Sequence, residues 1–231
     1  VTLRLLPLLL LFTGCSNNAP PADLEKLSRP KQILELRAAA LKSGAKEVWQ
    51  KLGDVAMEEG DAQAALEAYR KSGDAAQEKS VKAWMDPALF PPAPTGAPAD
   101  LYASAVSVPL AIDSTFAVRA NVIGKLNQAG RLFFEAGDRK SAGECVTRAQ
   151  PLVAAIMKIT HPSLYAFHLA SDHDDLYGDM LFANRHWGDA REFYQNSVIR
   201  FKNWDPPNDY TRKRLQQAKN KVLACEKKMF P

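Results

Sequence analysis

The chain contains no run of about 20 apolar residues, the length a helix needs to cross a bilayer. Strand signals are almost absent too, since no segment alternates apolar and polar side chains over several positions. There is no Walker loop, no GxGxxG after a strand, no GxSxG, no HExxH and no CxxC. With these signatures missing, no cofactor and no catalytic residue is assigned, and the expectation is a protein that is not an enzyme. Neither sign of charge predominates, with 30 Lys and Arg against 26 Asp and Glu. The net charge of +4 over 231 residues is too mild for a nucleic-acid footprint, which needs a clustered basic face.

Cysteine is sparse, at three residues. Cys145 and Cys225 fall in predicted helices far apart in the chain, and two readings stay open: one long-range disulfide or two buried thiols. Cys15 sits differently, at the end of "VTLRLLPLLLLFTGC". Here one positive residue, Arg4, precedes an apolar stretch from Leu5 to Phe12 and a small residue, as in a secretory signal. "LFTGC" resembles the lipobox of bacterial lipoproteins, although Phe12 stands where that family usually has Leu. The resemblance implies a signal over 1–14, cleavage before Cys15, lipidation of Cys15 and a polar tether over 15–21. It places the protein in the bacterial cell envelope, held by lipid. Ser16 resembles an outer-membrane sorting residue, which would make the protein face the periplasm.

What is abundant is helical periodicity. Helices are predicted over Ala22–Ser43, Lys46–Glu59, Ala62–Ser72, Asp74–Met85, Ser114–Ala136, Arg139–Thr160, Pro162–Asn184, Gly188–Lys202 and Asp209–Lys228, so the fold class is all-α. Between Asp86 and Asp100, "DPALFPPAPTGAPAD" holds five prolines, which remove backbone N–H groups and stop any helix. This stretch reads as an extended connector between a helical unit over 22–85 and a larger one over 101–231. Docking of Leu89 and Phe90 on a neighbouring helix would instead make it an ordered crossing loop.

Trp49, Leu52, Gly53 and Ala56 share one side of a helix that Gly60 ends, and Ala65 and Tyr69 follow four apart. The frame fits W-x2-L-G-x2-Y…A-x3-F. It recurs as Gly130 and Ala142, then as Gly178 and Ala190, each pair twelve residues apart, with Val146 and Tyr194 four beyond the alanine. On these residues the chain resembles tetratricopeptide-repeat proteins over about half its length. Leu126 and Asp174 replace the first signature Trp, Arg185 replaces the third turn glycine, and the units are not in tandem. The resemblance implies a right-handed α-solenoid of helix hairpins whose concave face binds a protein or peptide. The implied groove residues are Gln50, Asp54 and Met57, then Asn127, Arg131 and Phe134, then Asp175, Asp179 and Phe182. A related reading makes the chain a structural subunit of a larger envelope machine, with the connector docked on a neighbour.

All four histidines fall between 161 and 186. On one continuous helix His161, His168, Asp172 and Asp175 would share a stripe, so a periplasmic metal-binding protein using the His161–His173 region, His173 included, is the alternative from another class. Against it, "SDHDD" looks like a helix start with Ser171 or Asp172 as N-cap, which would break the stripe. The last helix is basic. Arg212, Arg214, Lys219, Lys221, Lys227 and Lys228 surround Leu215, Ala218, Val222 and Cys225, as expected of a solenoid cap or, alternatively, of a surface for anionic lipid or polymer.

Overall fold

The computed structural model describes residues 23–111 and 114–230. The signal, the tether and Cys15 lie outside the described residues. Among those described, ten α-helices form and no strand, with one isolated backbone bridge between Asp61 and Pro162. The helices are α1 (Arg29–Ser43), α2 (Lys46–Glu59), α3 (Ala62–Ser72), α4 (Ala75–Lys82), α5 (Pro98–Val106), α6 (Phe116–Glu135), α7 (Arg139–Ile156), α8 (Leu164–Ala183), α9 (Trp187–Lys202) and α10 (Asp209–Met229). Successive helices pack on each other from α1 to α4 and from α5 to α10, and α6 also packs on α8 and α2.

Several boundaries differ from expectation, among them the end of α7 at Ile156 and of α4 at Lys82, and two have clear local reasons. The first predicted helix splits, because Pro30 belongs in the first turn of α1 and Leu27, extended at φ −91°, ψ 152°, separates that helix from a one-turn piece at Leu24–Lys26. α8 begins at Leu164, where the Ser163 side chain accepts from the Ala166 N–H at 3.1 Å. "SDHDD" is therefore helix interior and not a helix start. α5 went unpredicted. Its first residue is Pro98, whose missing N–H would be unsatisfied at that position anyway.

Turn chemistry repeats along the chain. Gly60 and Gly137 take φ +94° and +85°, and Arg185, seven residues after Gly178 as Gly60 is after Gly53, takes φ +64°. The next residue caps the following helix in the first two cases. Asp61 accepts from the Ala64 N–H and Asp138 from the Ser141 N–H, both at 3.0 Å. His186 makes no such cap.

The core is a series of apolar clusters strung along the helices. One joins α1 to α4 through Leu36, Ala40, Trp49, Leu52, Ala65, Tyr69 and Val81. A second gathers Phe116, Ile123, Ile156, Tyr165 and Leu169, with Trp84 and Phe90 packed against it. A smaller one holds Ala190, Tyr194 and Cys225. Trp84 meets Phe116 edge-on at 4.7 Å, its carbonyl accepts from the Tyr165 N–H at 2.9 Å, and Asp61 pairs with His161 at 3.1 Å. These contacts tie the helices before the Pro-rich segment to those after it. Cys145 and Cys225 are free, buried thiols in separate clusters.

Candidate functional site

The predicted repeat positions meet one another. Gly53 lies where an added Cβ would stand 2.5 Å from the Tyr69 ring, and Gly178 stands in the same relation to Tyr194, again at 2.5 Å. In both places the tyrosine hydroxyl donates to the residue after the glycine, Asp54 at 3.0 Å and Asp179 at 2.7 Å. Ala65 and Ala190, four residues before each tyrosine, are fully buried. Gly130 has different company: an added Cβ there would stand 2.7 Å from Leu176 and 3.0 Å from Cys145, with Ala142 buried beside it. In each case the missing side chain admits a neighbour at a distance no Cβ would allow.

Between α6 and α8 lies a pocket of about 230 Å³. α6 contributes Gly124, Asn127, Gln128 and Arg131; α8 contributes Tyr165, His168, Leu169, Asp172 and Asp175. The third wall is the chain's own Pro91, Pro92, Ala93 and Pro94. A neighbouring pocket of about 160 Å³ shares Pro91, Pro92, Pro94, Gly124 and Tyr165 and adds Trp84 and Phe116. Phe90 opens the proline run inside an aromatic cluster, its ring 5.2 Å from Tyr165, 5.4 Å from His168 and 5.8 Å from Tyr210. The Tyr210 hydroxyl is 2.8 Å from His168 Nδ1, and His168 Nε2 is 3.4 Å from Asp172. Burial lowers the His168 pKa, Asp172 opposes that shift and Arg214 adds to it.

No protein-family model, curated protein or solved structure matches this chain. The functional reading therefore rests on the site itself.

An acidic stripe runs down α8, and α10 answers it. Arg214 reaches Asp172 at 2.8 Å and Asp175 at 3.3 Å; Lys221 reaches Asp179 at 2.9 Å and stands 3.5 Å from Asp175 Oδ1. Arg131 closes the stripe from α6, donating to Asp179 at 2.6 Å. Burial alone would raise the Asp179 carboxyl, but Lys221 and the hydrogen bonds from Lys221, Tyr194 and Arg131 hold it below the usual range. Asp175 goes the other way, raised by burial against the pull of Lys221 and Arg214. Its Oδ1 and Asn127 Oδ1 are shut from solvent without a hydrogen-bond partner, although Asn127 donates through Nδ2 to the Leu169 carbonyl at 2.9 Å.

Of the nine expected groove residues, Asn127, Arg131 and Asp175 line this pocket, and Asp179 adjoins it through Arg131. Gln50 and Asp54 line a separate depression on α2, where Gln50 donates to Asp74 at 2.9 Å. Met57 packs on the first core cluster. Phe134 is half-buried beside Val146 and Leu176 with Arg139 4.1 Å over its ring, and Phe182 packs toward Tyr194 and Cys225. These two aromatics fill helix crossings and do not line the pocket.

The histidine stripe does not assemble. His161 precedes α8 and faces Asp61, His168 faces Asp172 and Tyr210, and His173 is 1% exposed with both ring nitrogens unpartnered. Among the described residues no group of three or more His, Cys, Asp or Glu is arranged to hold a metal ion. His168 and Asp172 face each other, but His161 pairs with Asp61 instead, so His161, His168 and Asp172 do not converge as one ligand set. Tyr165 and Tyr210, which complete the aromatic cluster, carried no signal in the sequence. Phe90 carried one, as a lone aromatic among prolines in an otherwise solvent-facing connector. Leu89, its neighbour, is 51% exposed.

Proposed function

We propose that this protein is a non-enzymatic binding scaffold of the bacterial cell envelope, built as a tetratricopeptide-like solenoid and anchored by lipid on Cys15. The observation that carries the binding part is the pocket between α6 and α8, the leading helices of two successive pairs, with Asn127, Arg131 and Asp175 on its walls. In a solenoid of helix pairs the leading helices form the concave face, and that face takes an extended peptide or a partner's helix. Support for the repeat comes from the matched Gly53–Tyr69–Asp54 and Gly178–Tyr194–Asp179 contacts and from α6 lying directly against α8. Polar groups that can fix a peptide backbone, Gln128 and Arg131, sit beside apolar surface from Tyr165 and Leu169. The partner is a protein or peptide of the envelope.

A photoreactive side chain at Gln128, tested in the native cell, should crosslink a defined partner. The same group at Glu144, exposed on α7, should not. Equal labelling from both positions, or none from Gln128, would sink the binding reading. The anchor is tested separately: Cys15→Ser should move the protein from the membrane to the soluble fraction, and unchanged fractionation refutes lipidation.

A further inference from the structure

The groove between α6 and α8 is not vacant. Phe90 to Pro94 lies along it, and the way this segment is held differs from the way a core loop is held. Phe90 has the backbone of a polyproline II helix, φ −58°, ψ 143°, and stacks among Tyr165, His168 and Tyr210. Pro94 follows onto α6, its Cγ 3.7 Å from where a Cβ on Gly124 would stand. The contacts that seat the segment are ring and apolar ones, Phe90 on Tyr165 and His168 and Pro94 on Gly124. Proline has no N–H to leave unsatisfied, and a preformed polyproline helix loses little entropy on docking, so such a segment can seat through ring and apolar contact alone. It can leave by the same token.

We propose that the Phe90–Pro94 segment is a tethered stand-in for the partner, and that the groove takes in its place a proline-rich segment of another protein, an aromatic followed by Pro-Pro-x-Pro. This rests on the binding reading above and specifies its ligand. The chain's own segment is an incomplete fit. Ala93, at position x, lines the pocket of about 230 Å³ that remains between the segment and the helices. On the far walls Asp172 and Asp175 are already paired with Arg214 and Lys221, and Arg131 lines the same space, so a charge at x has no partner there. An uncharged polar side chain longer than alanine at x, such as glutamine, fills the space beside Gln128 and Arg131. The partner motif is thus aromatic-Pro-Pro-Gln-Pro, and the tether sets a threshold that only a better ligand passes. A groove occupied in cis lowers the apparent affinity for a ligand in trans by the fraction of molecules in which it is open.

The test uses the full chain, two variants of it and two fluorescent peptides. One peptide is residues 86–97 as they stand; the other carries glutamine at the position of Ala93. The first variant is Phe90→Ala with Pro92→Ser and Pro94→Ser; the second keeps Phe90, and with it the aromatic cluster, and changes only Pro92 and Pro94 to Ser. Anisotropy titrations should show the triple variant binding the native-sequence peptide at least about tenfold more tightly than the parent chain does, with the double variant between them. The glutamine peptide should bind each form several-fold more tightly than the native one. Adding Tyr165→Ala to the double variant should abolish the gain. Should the triple variant fail to fold by circular dichroism, the double variant carries the comparison. Equal affinity of parent and folded variants for the peptide, or no binding by a folded variant at millimolar peptide, overturns the proposal. If that happens while Gln128 still crosslinks a partner, the binding reading stands and only the ligand class falls; if neither signal appears, both fall.

Discussion

Gly178→Ala adds one methyl group at the closest approach of α8 to α9. The substitution has two effects of opposite sign. Replacing a mid-helix glycine by alanine favours the helix by about 1 kcal/mol. The new Cβ, however, would stand 2.5 Å from Cε1 and 2.9 Å from Cδ1 and Cζ of Tyr194, well inside contact distance. That ring cannot easily yield, because Tyr194 is 3% exposed and its hydroxyl is held by Asp179 at 2.7 Å. Overpacking of this kind costs about 1–3 kcal/mol, and a hydrogen bond to a charged group adds about 1.5–3 kcal/mol where the ring must let go of it. The net is a loss of about 2 kcal/mol, read as a lower urea midpoint at unchanged slope. Gly53→Ala, facing Tyr69 at the same 2.5 Å, should lose a similar amount. Gly143→Ala is the control: its nearest neighbour is the flexible end of Met180 at 3.8 Å, so the propensity gain should survive and the protein should gain stability. Tyr194→Phe frees the ring from Asp179, so the double variant with Gly178→Ala should cost less than the sum of the singles. A Gly178→Ala protein as stable as the Gly143→Ala protein, or strict additivity in the cycle, would refute the account of this crossing.

Arg185→Gly should raise stability by roughly 0.5 kcal/mol in urea titration, because φ +64° costs a non-glycine residue about 1–2 kcal/mol, partly offset by the entropy of an unfolded glycine; Arg185→Val should lower it. His173 gives a pH signature. Burial, helped by the nearby Arg200 charge, lowers its pKa from 6.5 to about 4, so the folded protein favours the neutral ring. Stability from that preference is fully present above pH 6.5 and is lost as pH falls toward 4, and its loss should reach about 2 kcal/mol between pH 7 and pH 5. Asp174, pushed up to about 6 by burial against the pull of Arg200, works in the opposite direction over that range, so the quantity to measure is the difference between the parent and His173→Leu at each pH. A difference that does not change with pH contradicts the buried neutral histidine. Cys145 and Cys225 should react with a thiol reagent only after denaturant is added, since both are fully buried and burial pushes the Cys145 thiol up to about 11.

Helix positions were legible wherever the chain carries punctuation that acts locally. Gly60 and Gly73 end α2 and α3 in left-handed turns, and Asp61 and Asp138 cap α3 and α7, so α2 and α3 match their predicted bounds. The Gly-to-Ala interval was legible for a similar reason: close helix crossings demand small residues at fixed spacing, and the demand is written into the sequence. The acidic run in α8 misled because it depends on partners from elsewhere. Asp172, Asp175 and Asp179 stand mid-helix since Arg214, Lys221 and Arg131 neutralise them, and Asp174 pairs with Arg200 from α9. Read alone, the run mimics the first turn of a helix. The same pairing divides the basic face of α10. Arg214 and Lys221 turn inward to α8, while Lys219, Lys227 and Lys228 face solvent. The pocket's third wall could not be read from helical periodicity at all, because a proline segment has none.

The place of that segment in the chain explains why it lies on the groove. Two antiparallel helices of a pair are joined by a turn of about two to five residues. Between α4 and α5 stand residues 83–97 instead, and α4 packs on α3 while α5 packs on α6. The linking chain must therefore cross from one group of helices to the other. Its start is fixed where the Tyr165 N–H bonds the Trp84 carbonyl and Trp84 meets Phe116, at the head of α6 and α8. From that point the route along α6 and α8 half-buries Phe90 and sets Pro94 against Gly124, whereas a route over solvent would expose both. Four prolines between 87 and 94 narrow the conformations of the unfolded segment, so ordering it costs less than ordering the same length of ordinary chain. A flexible polar linker would cross the same gap without ever occupying the groove. A proline-rich one that opens on an aromatic reproduces the chemistry of a peptide ligand, and the groove between α6 and α8 holds it as one.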